Sequence, residues 1–330
     1  MYLETLPKPF LVLAPMDDVT DTVFRQIVAK LAPPDVFFTE FVNADGLQSP
    51  GRKNLLKKLR FTANEQPLVA QIWGKVPANF EKTAREIADG TLAREAGAPE
   101  GVNFAGIDLN MGCPVKNVVK NGTCSALIDN RELAVEIIKA TQKGADGKLP
   151  VSVKTRLGSR SVDLSWHELL LRQNLSMLTI HGRTRVQMSA VPADWEMIGK
   201  VRELGDRIAP ATYIVGNGDV RNYAHARQLA ERYNLDGIMI GRGIFADPFA
   251  FATYSQWESF TKQQRLELYA QHVKLFAETW PGDERNIVVL NKFCKIYVNG
   301  FDGAKELREQ LMRSQTAEDL LRAIEAATEN

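Results

Sequence analysis

Ile107-Asp108-Leu109-Asn110-Met111-Gly112-Cys113-Pro114 is an apolar run that stops abruptly in a glycine, a thiol and a proline. It reads as a buried strand whose tip presents chemistry. Gly112 permits a turn closed to other residues, Pro114 locks φ and removes a donor, and Cys113 is left with little freedom at the strand end. A protonated thiol held there can serve as a positioned acid; the plainer reading of an isolated cysteine is a small hydrophobe in a tight turn. Outward from this strand, short apolar runs rich in β-branched residues recur at 10–14, 36–41, 68–73, 104–110, 151–155, 177–181, 212–216 and 236–241. Between them lie segments of helical period. Thr20 or Asp21 can cap a helix with Val23, Phe24, Ile27, Val28 and Leu31 on one face. Pro77 sits at the start of another, striped by Phe80, Ala84, Ile87, Ala88 and Leu92 and followed by Gly97.

Continuous apolar strands alternating with helices imply a parallel sheet covered by helices. Eight such units predict an α/β fold, a (β/α)8 TIM barrel, over residues 1–251. Polar residues gather where the runs finish: Ala14-Pro15-Met16-Asp17, Glu40, Gln71, Asn110 with Cys113, Lys154 with Arg156, His181-Gly182-Arg183, Gly216-Asn217-Gly218-Asp219 and Gly241-Arg242-Gly243. A barrel brings all of these to one face, whereas a doubly wound open sheet, the runner-up, predicts one crevice at a switch point. From 252 to 330 the strands cease. Leu266, Tyr269, Val273 and Phe276 repeat at helical spacing, 288–298 is a second apolar stretch, and 307–327 a third, with Thr316 and Asp319 as its start signal. A small C-terminal all-α domain is expected there.

The 330 residues are 45% hydrophobic and 25% charged, which excludes disorder and leaves ample material for a core. The formal charge of +1 means that affinity for a polyanion must come from local patches. The three cysteines, Cys113, Cys124 and Cys294, show no CxxC spacing, so no metal site is expected and a reducing compartment is. The start, Met1-Tyr2-Leu3-Glu4, carries no basic leader and apolar block, and no run approaches a membrane span; a cytoplasmic monomer without a membrane partner is expected.

The glycine-flanked turns at 216–218 and 241–243 suit a phosphate, because loops after the last two strands of a barrel cradle one with backbone N–H groups, and Arg242 can add a charged contact. Lys154, Arg156, His181 and Arg183 gather cations at the barrel mouth, where an anionic ligand is their natural partner. Gln71 and Asn110 supply amides of the kind that read a heterocycle's edge.

Taken together, Ala14-Pro15-Met16, Thr39-Glu40, Gln71-Ile72-Trp73-Gly74, residues 108–114, Lys154-Thr155-Arg156, His181-Gly182-Arg183-Thr184, Asn217-Gly218-Asp219 and Gly241-Arg242 resemble the tRNA-dihydrouridine synthase family over nearly the whole chain. The resemblance implies an FMN-bound barrel with a C-terminal helical tRNA-binding domain. The implied activity uses NADPH, with NADH as the alternative reductant, to reduce the C5–C6 bond of selected uridines in tRNA. It places flavin contacts on Ala14, Pro15, Met16, Asp17, Gln71, Lys154, His181, Asn217, Gly218, Asp219, Gly241 and Arg242, and the proton donor on Cys113. Asn110, Arg156 and Arg183 are candidates for holding the flipped base. The family's glycine-rich stretch after the cysteine appears here as residues 119–126, with Cys124 inside it.

A basic run, Arg52, Lys53, Lys57, Lys58 and Arg60, follows the second strand on the same side and, with Lys116, Lys120, Lys292, Lys295, Arg308 and Arg313, points to phosphate contacts. Lys53, Lys57 and Lys58 are therefore substrate-binding candidates. The competing readings are an FMN-dependent reductase of a free pyrimidine, which has no use for a basic helical tail, and a flavin-free barrel enzyme in which Lys154 forms a Schiff base or the cations hold a sugar phosphate. An inactive tRNA-binding module is the third, and the intact cysteine and lysine oppose it.

Overall fold

The structure, a computed structural model, describes residues 2–282 and 284–328. Nine parallel strands make up its sheet: β1 (Phe10–Leu13), β2 (Phe37–Phe38), β3 (Val42–Asn43), β4 (Leu68–Trp73), β5 (Gly106–Met111), β6 (Val151–Gly158), β7 (Met177–Thr184), β8 (Tyr213–Asn217) and β9 (Gly237–Ile240). Their order is β1-β9-β8-β7-β6-β5-β4-β2, with β3 also on β4, and a bridge from Val12 to Val36 brings the last strand back to the first. The barrel therefore closes, and the open-sheet alternative falls away.

The expected strand at 36–41 is the one that breaks. β2 and β3 both pair with β4 but are separated by Thr39, Glu40 and Phe41. The Thr39 hydroxyl, not a backbone carbonyl, accepts the Gln71 amide at 3.1 Å, and Glu40 is turned toward the helical tail. β6 and β7 run further than the sequence suggested, so Arg156 and Arg183 are strand residues, with an irregularity in register between Arg156 and Gly158.

Alternation of side chains along each strand sorts the residues into an inside and an outside. Phe10, Val12, Phe38, Val69, Met177, Val215 and Met239 fill the barrel, and Leu3 and Tyr2, from the turn Tyr2–Thr5, pack onto them. Leu11, Leu13, Ala70 and Ile72 face the helices instead. Two residues beyond Val69 and Val215 the same inward face carries Gln71 and Asn217, so the mouth's polar residues continue the core's own period.

The helix Thr22–Leu31 is capped by Asp21, whose carboxylate accepts the Phe24 amide at 2.9 Å. The stripe after Pro77 divides into Pro77–Ala88 and Thr91–Glu95, because Gly90 turns left-handed between them. In the tail, Thr261 and Gln264 form a capping box at the head of Lys262–Thr279. The second stretch is a 3-10 helix, Ile287–Phe293, leading into the short helix Cys294–Tyr297. The third is two helices, Ala304–Leu311 and Ala317–Thr328, and the Asp319 amide donates to Thr316 Oγ1 at 3.1 Å where the start signal stood. These helices are seated on the barrel: Phe24 of the first barrel helix packs against His272 and Phe293 of the tail, and Phe293 also meets Phe245.

Candidate active site

β5 carries the centre of the site. Asp108 and Asn110, two residues apart, lie on its inward face. Asp108 is fully buried, accepting from Ser152 Oγ at 2.6 Å and from Gln71 Nε2 at 2.7 Å. Gln71 Oε1 accepts from Asn110 Nδ2 at 3.0 Å, and Asn110 Oδ1 accepts the amides of Gly112 and Cys113 at 3.1 and 3.0 Å. The strand end is further tied by Ser125, whose hydroxyl donates to the Cys113 carbonyl at 2.6 Å. Gly112 does not take a left-handed turn, contrary to the expectation. A Cβ there would stand 3.3 Å from the Lys154 carbonyl, so the glycine allows β5 to approach β6 closely.

Cys113 is half-buried. A hydrogen bond from the Cys124 thiol lowers its pKa to about 7 against the effect of burial, with the Val115 amide and the Arg156 charge acting in the same sense. Cys124 is fully buried, holds a left-handed backbone (φ 52°), and has its own pKa pushed well up by burial and by Cys113. The mouth thus holds one acidified thiol backed by one that stays protonated.

Around this tip stand the cations. Burial, then the neighbouring Arg156 charge, lowers the Lys154 pKa to about 8, and among the described residues its ammonium has no hydrogen-bond or ion-pair partner. Arg156 is occupied differently: Nε donates to the Gly112 carbonyl at 2.7 Å, and Nη1 to the carbonyls of Thr184 and Met188 at 3.1 and 3.0 Å. It braces the cysteine turn against β7. Arg183 donates to His181 Nε2 at 3.1 Å and pairs with Asp219, which also accepts from Arg242 at 3.1 Å and from the Ala193 amide at 2.9 Å. Burial and the surrounding Lys154, Arg156, Arg183 and Arg242 charges push the His181 pKa far down. His181 is therefore neutral, with Nε2 accepting and its proton on Nδ1.

The turns after β8 and β9 complete the rim. Asn217 donates to the Met239 carbonyl at 2.9 Å, and the Gly218 carbonyl accepts from Trp195 Nε1 at 3.2 Å. At Gly241 an added Cβ would meet only Ala14 Cβ at 3.5 Å and Met16 Sδ at 3.9 Å. These are ordinary contact distances, so the rim is open beside Gly241. Ala14 donates its amide to the Ile240 carbonyl at 2.9 Å, bringing Pro15, Met16 and Asp17 to the same rim.

The family description Dihydrouridine synthase (Dus) matches residues 12–330 of this chain. The chain belongs to the dihydrouridine synthase family. A probable tRNA-dihydrouridine synthase of Staphylococcus aureus (strain COL) is 45% identical over 314 residues, covering 94% of this chain and 90% of that protein. A probable tRNA-dihydrouridine synthase 2 of Bacillus subtilis (strain 168) is 44% identical over 319 residues, with 96% and 93% covered. Among solved structures, histamine dehydrogenase from Rhizobium sp. 4-9 shares the fold at a TM-score of 0.51 and 11% identity, over 97% of this chain and 62% of that one. Family membership makes the protein a flavin-dependent oxidoreductase.

Beyond the barrel mouth, several charged side chains are held by partners within the chain. Of the basic run, Lys58 pairs with Asp17, Lys57 donates to the Glu284 carbonyl at 3.0 Å, Arg52 pairs with Glu86 and Glu95, and Lys53 is exposed. Glu40, which looked like another strand-end polar residue, accepts from Arg285 on both oxygens, at 2.8 and 2.9 Å, and from the Asp18 amide at 2.7 Å. Arg285 also reaches Asp18 and Asp21, and Trp280 Nε1 donates to Asp21 at 3.3 Å. Asp17, Asp18 and Glu40 lie near one another; Lys58 pairs with Asp17, and Arg285 with Asp18 and Glu40. The sequence named Asp108 only within motifs, took Glu40 for a strand-end residue of the barrel mouth, and left Cys124 without a role. The period-two spacing of Asp108 and Asn110 was the available signal for the first; Glu40 depends on Arg285, 245 residues away, and Cys124 on a local chain reversal that returns it to Cys113.

Proposed function

We propose that this protein reduces uridines of tRNA to 5,6-dihydrouridine, with FMN as the bound flavin and NADPH as the reductant, in the cytoplasm. The observation that carries the reading is an acidified thiol, Cys113, close enough to feel the charge of a desolvated ammonium, Lys154, that has no hydrogen-bond or ion-pair partner among the described residues. The residues present fit a flavin. Lys154 needs an acceptor-rich partner, Gly241 leaves the rim open, and Gln71, Asn110 and His181 each keep an unspent N–H for ring carbonyls and nitrogens. Arg242 and the turn around Gly218 suit a phosphate.

A bound reduced flavin supplies the hydride that saturates C6. The chain's own part is the proton at C5. Cys113 holds it on a rigid strand tip, with Asn110 and Arg156 fixing the turn on either side, and the lowered pKa makes the thiol a stronger acid than a free cysteine while it remains substantially protonated near neutrality. Arg156 keeps its charge, since burial lowers its pKa only to about 10, and steadies the thiolate left behind. The neutral His181 is a donor through Nδ1 and not a competing acid. A uridine in folded tRNA is stacked, so it must be flipped into this mouth. Exposed Lys53, Lys116, Lys120, Lys292, Lys295 and Arg313 would meet phosphates, with the helices from Lys262 onward as the tRNA-binding part.

Dihydrouridine mapping in tRNA from cells lacking the protein tests the reading. Specific positions should revert to uridine, be restored by the wild-type chain, and stay unmodified with Cys113→Ala even though that variant retains its flavin. An unchanged dihydrouridine pattern overturns the assignment.

A further inference from the structure

We propose that Asp108 is a positioning residue for the proton donor, orienting Gln71 and Asn110 so that the backbone of Gly112 and Cys113 is held in one place; this rests on the reading of Cys113 as that donor. Hydrogen-bond polarity fixes the arrangement. An ionised carboxylate only accepts, whereas a side-chain amide turned by half a rotation swaps its donor for its acceptor in nearly the same space. Gln71 and Asn110 taken alone are thus ambiguous. Asp108, anchored by Ser152 at 2.6 Å, removes the ambiguity by demanding the Gln71 amino group at 2.7 Å. Gln71 must then present its oxygen to Asn110 Nδ2 at 3.0 Å, and Asn110 must present its oxygen to the amides of Gly112 and Cys113. Were Gln71 reversed, Asn110 would follow, and its amino group would oppose two backbone N–H groups at the cysteine turn.

Burial raises the Asp108 pKa to about 6, with the Ser152 and Gln71 hydrogen bonds and the Lys154 charge opposing the rise, so the group is an acceptor at neutral pH. All four side chains of the chain are buried, where water cannot replace a lost partner.

Two near-isosteric variants separate polarity from packing. Asp108→Leu removes the acceptor. Asp108→Asn can still accept from Gln71 with its oxygen while its amino group faces Ser152, whose hydroxyl then accepts. In hydrogen exchange on the protein as purified, the segment around Gly112 and Cys113 should exchange faster in Asp108→Leu and as in wild type in Asp108→Asn, with the other strands unchanged. On the flavin-loaded fraction, oxidation of the reduced flavin by tRNA should slow by about 10²-fold in Asp108→Leu, the cost of a misplaced group, and by more than reduction by NADPH slows. Gln71→Met, which cuts the chain one link on, should give the same local exchange even if Asp108→Leu does not fold. Wild-type exchange at the cysteine turn in both Asp108→Leu and Gln71→Met overturns the proposal, as does equal slowing of both half-reactions with exchange raised throughout the barrel. If tRNA fails to oxidise the flavin of the wild-type protein, the parent reading fails, and the exchange comparison still decides the role of Asp108.

Discussion

At the cysteine turn, two thiols share one hydrogen bond: it lowers the pKa of Cys113, while burial first and that bond second raise the pKa of Cys124. Cys124 is sealed from solvent and stays protonated, so its S–H is available to stabilise a Cys113 thiolate. Removing that donor should weaken the acid. In Cys124→Ala the pH at which Cys113 is half alkylated should move upward from about 7, toward or past the ordinary thiol range, and an unmoved midpoint would show that Cys124 does not set it. Lys154 offers a second test. Its pKa of about 8 should rise when an acceptor-rich ligand neutralises its surroundings, so flavin binding should be strongest below pH 8 and weaken above it. Lys154→Met should bind flavin more weakly at neutral pH and lose that dependence; equilibrium titration of the stripped protein across pH measures both. Cys113 and Lys154 were legible in the sequence because a thiol beside Pro114 and a lysine on an apolar strand are locally odd. Cys124 was not, since its role depends on a chain reversal that carries it back under the strand tip. Gly112 was legible as special but for the wrong reason: the constraint comes from β6, not from its own torsion angle.

At the scale of elements, the tail is locked to the barrel by a charge cluster and not by helix packing alone. Arg285, almost wholly buried, spans from the tail to Glu40 on the broken strand between β2 and β3. Burial opposes its charge, yet the Glu40 hydrogen bonds and the nearby Asp21 and Asp18 charges hold its pKa above the usual arginine value. Removing one member of such a pair leaves the other buried and uncompensated. Arg285→Ala should therefore cost about 3–5 kcal/mol by denaturant unfolding; a loss below about 1 kcal/mol would mean the pair is open to water. The same cluster explains why the strand at 36–41 splits, which no alternation pattern foretells: an apolar run yields to a tertiary partner more than 240 residues away. The closed barrel itself was readable, because β strands and helices alternate with regular period and polar residues mark every strand end. The division of the last apolar stretch into Ala304–Leu311 and Ala317–Thr328 was half readable, since Thr316 already carried a helix-start signal.

For the whole molecule, a net charge of +1 leaves no general attraction for a polyanion, so tRNA binding must rest on a few exposed cations. Lys57, Lys58, Arg52 and Arg60 are engaged within the chain, while Lys53, Lys116, Lys120 and Lys295 are exposed. Binding should weaken linearly in log–log form with salt, and replacing a phosphate-contacting lysine such as Lys295 by Ala should reduce that slope by about 1. An unchanged slope would move the interface elsewhere. The central claim, that one barrel mouth joins a bound flavin, a proton on Cys113 and a flipped uridine, is tested most directly by a single anaerobic turnover. Protein reduced by NADPH is mixed with unmodified tRNA, and the flavin absorbance and the dihydrouridine formed are followed together. The account predicts return of the oxidised-flavin absorbance with stoichiometric dihydrouridine, and slowing by about 10²- to 10⁴-fold in Cys113→Ala. A flavin that stays reduced in the presence of tRNA, or that reoxidises in Cys113→Ala at the wild-type rate, would contradict it.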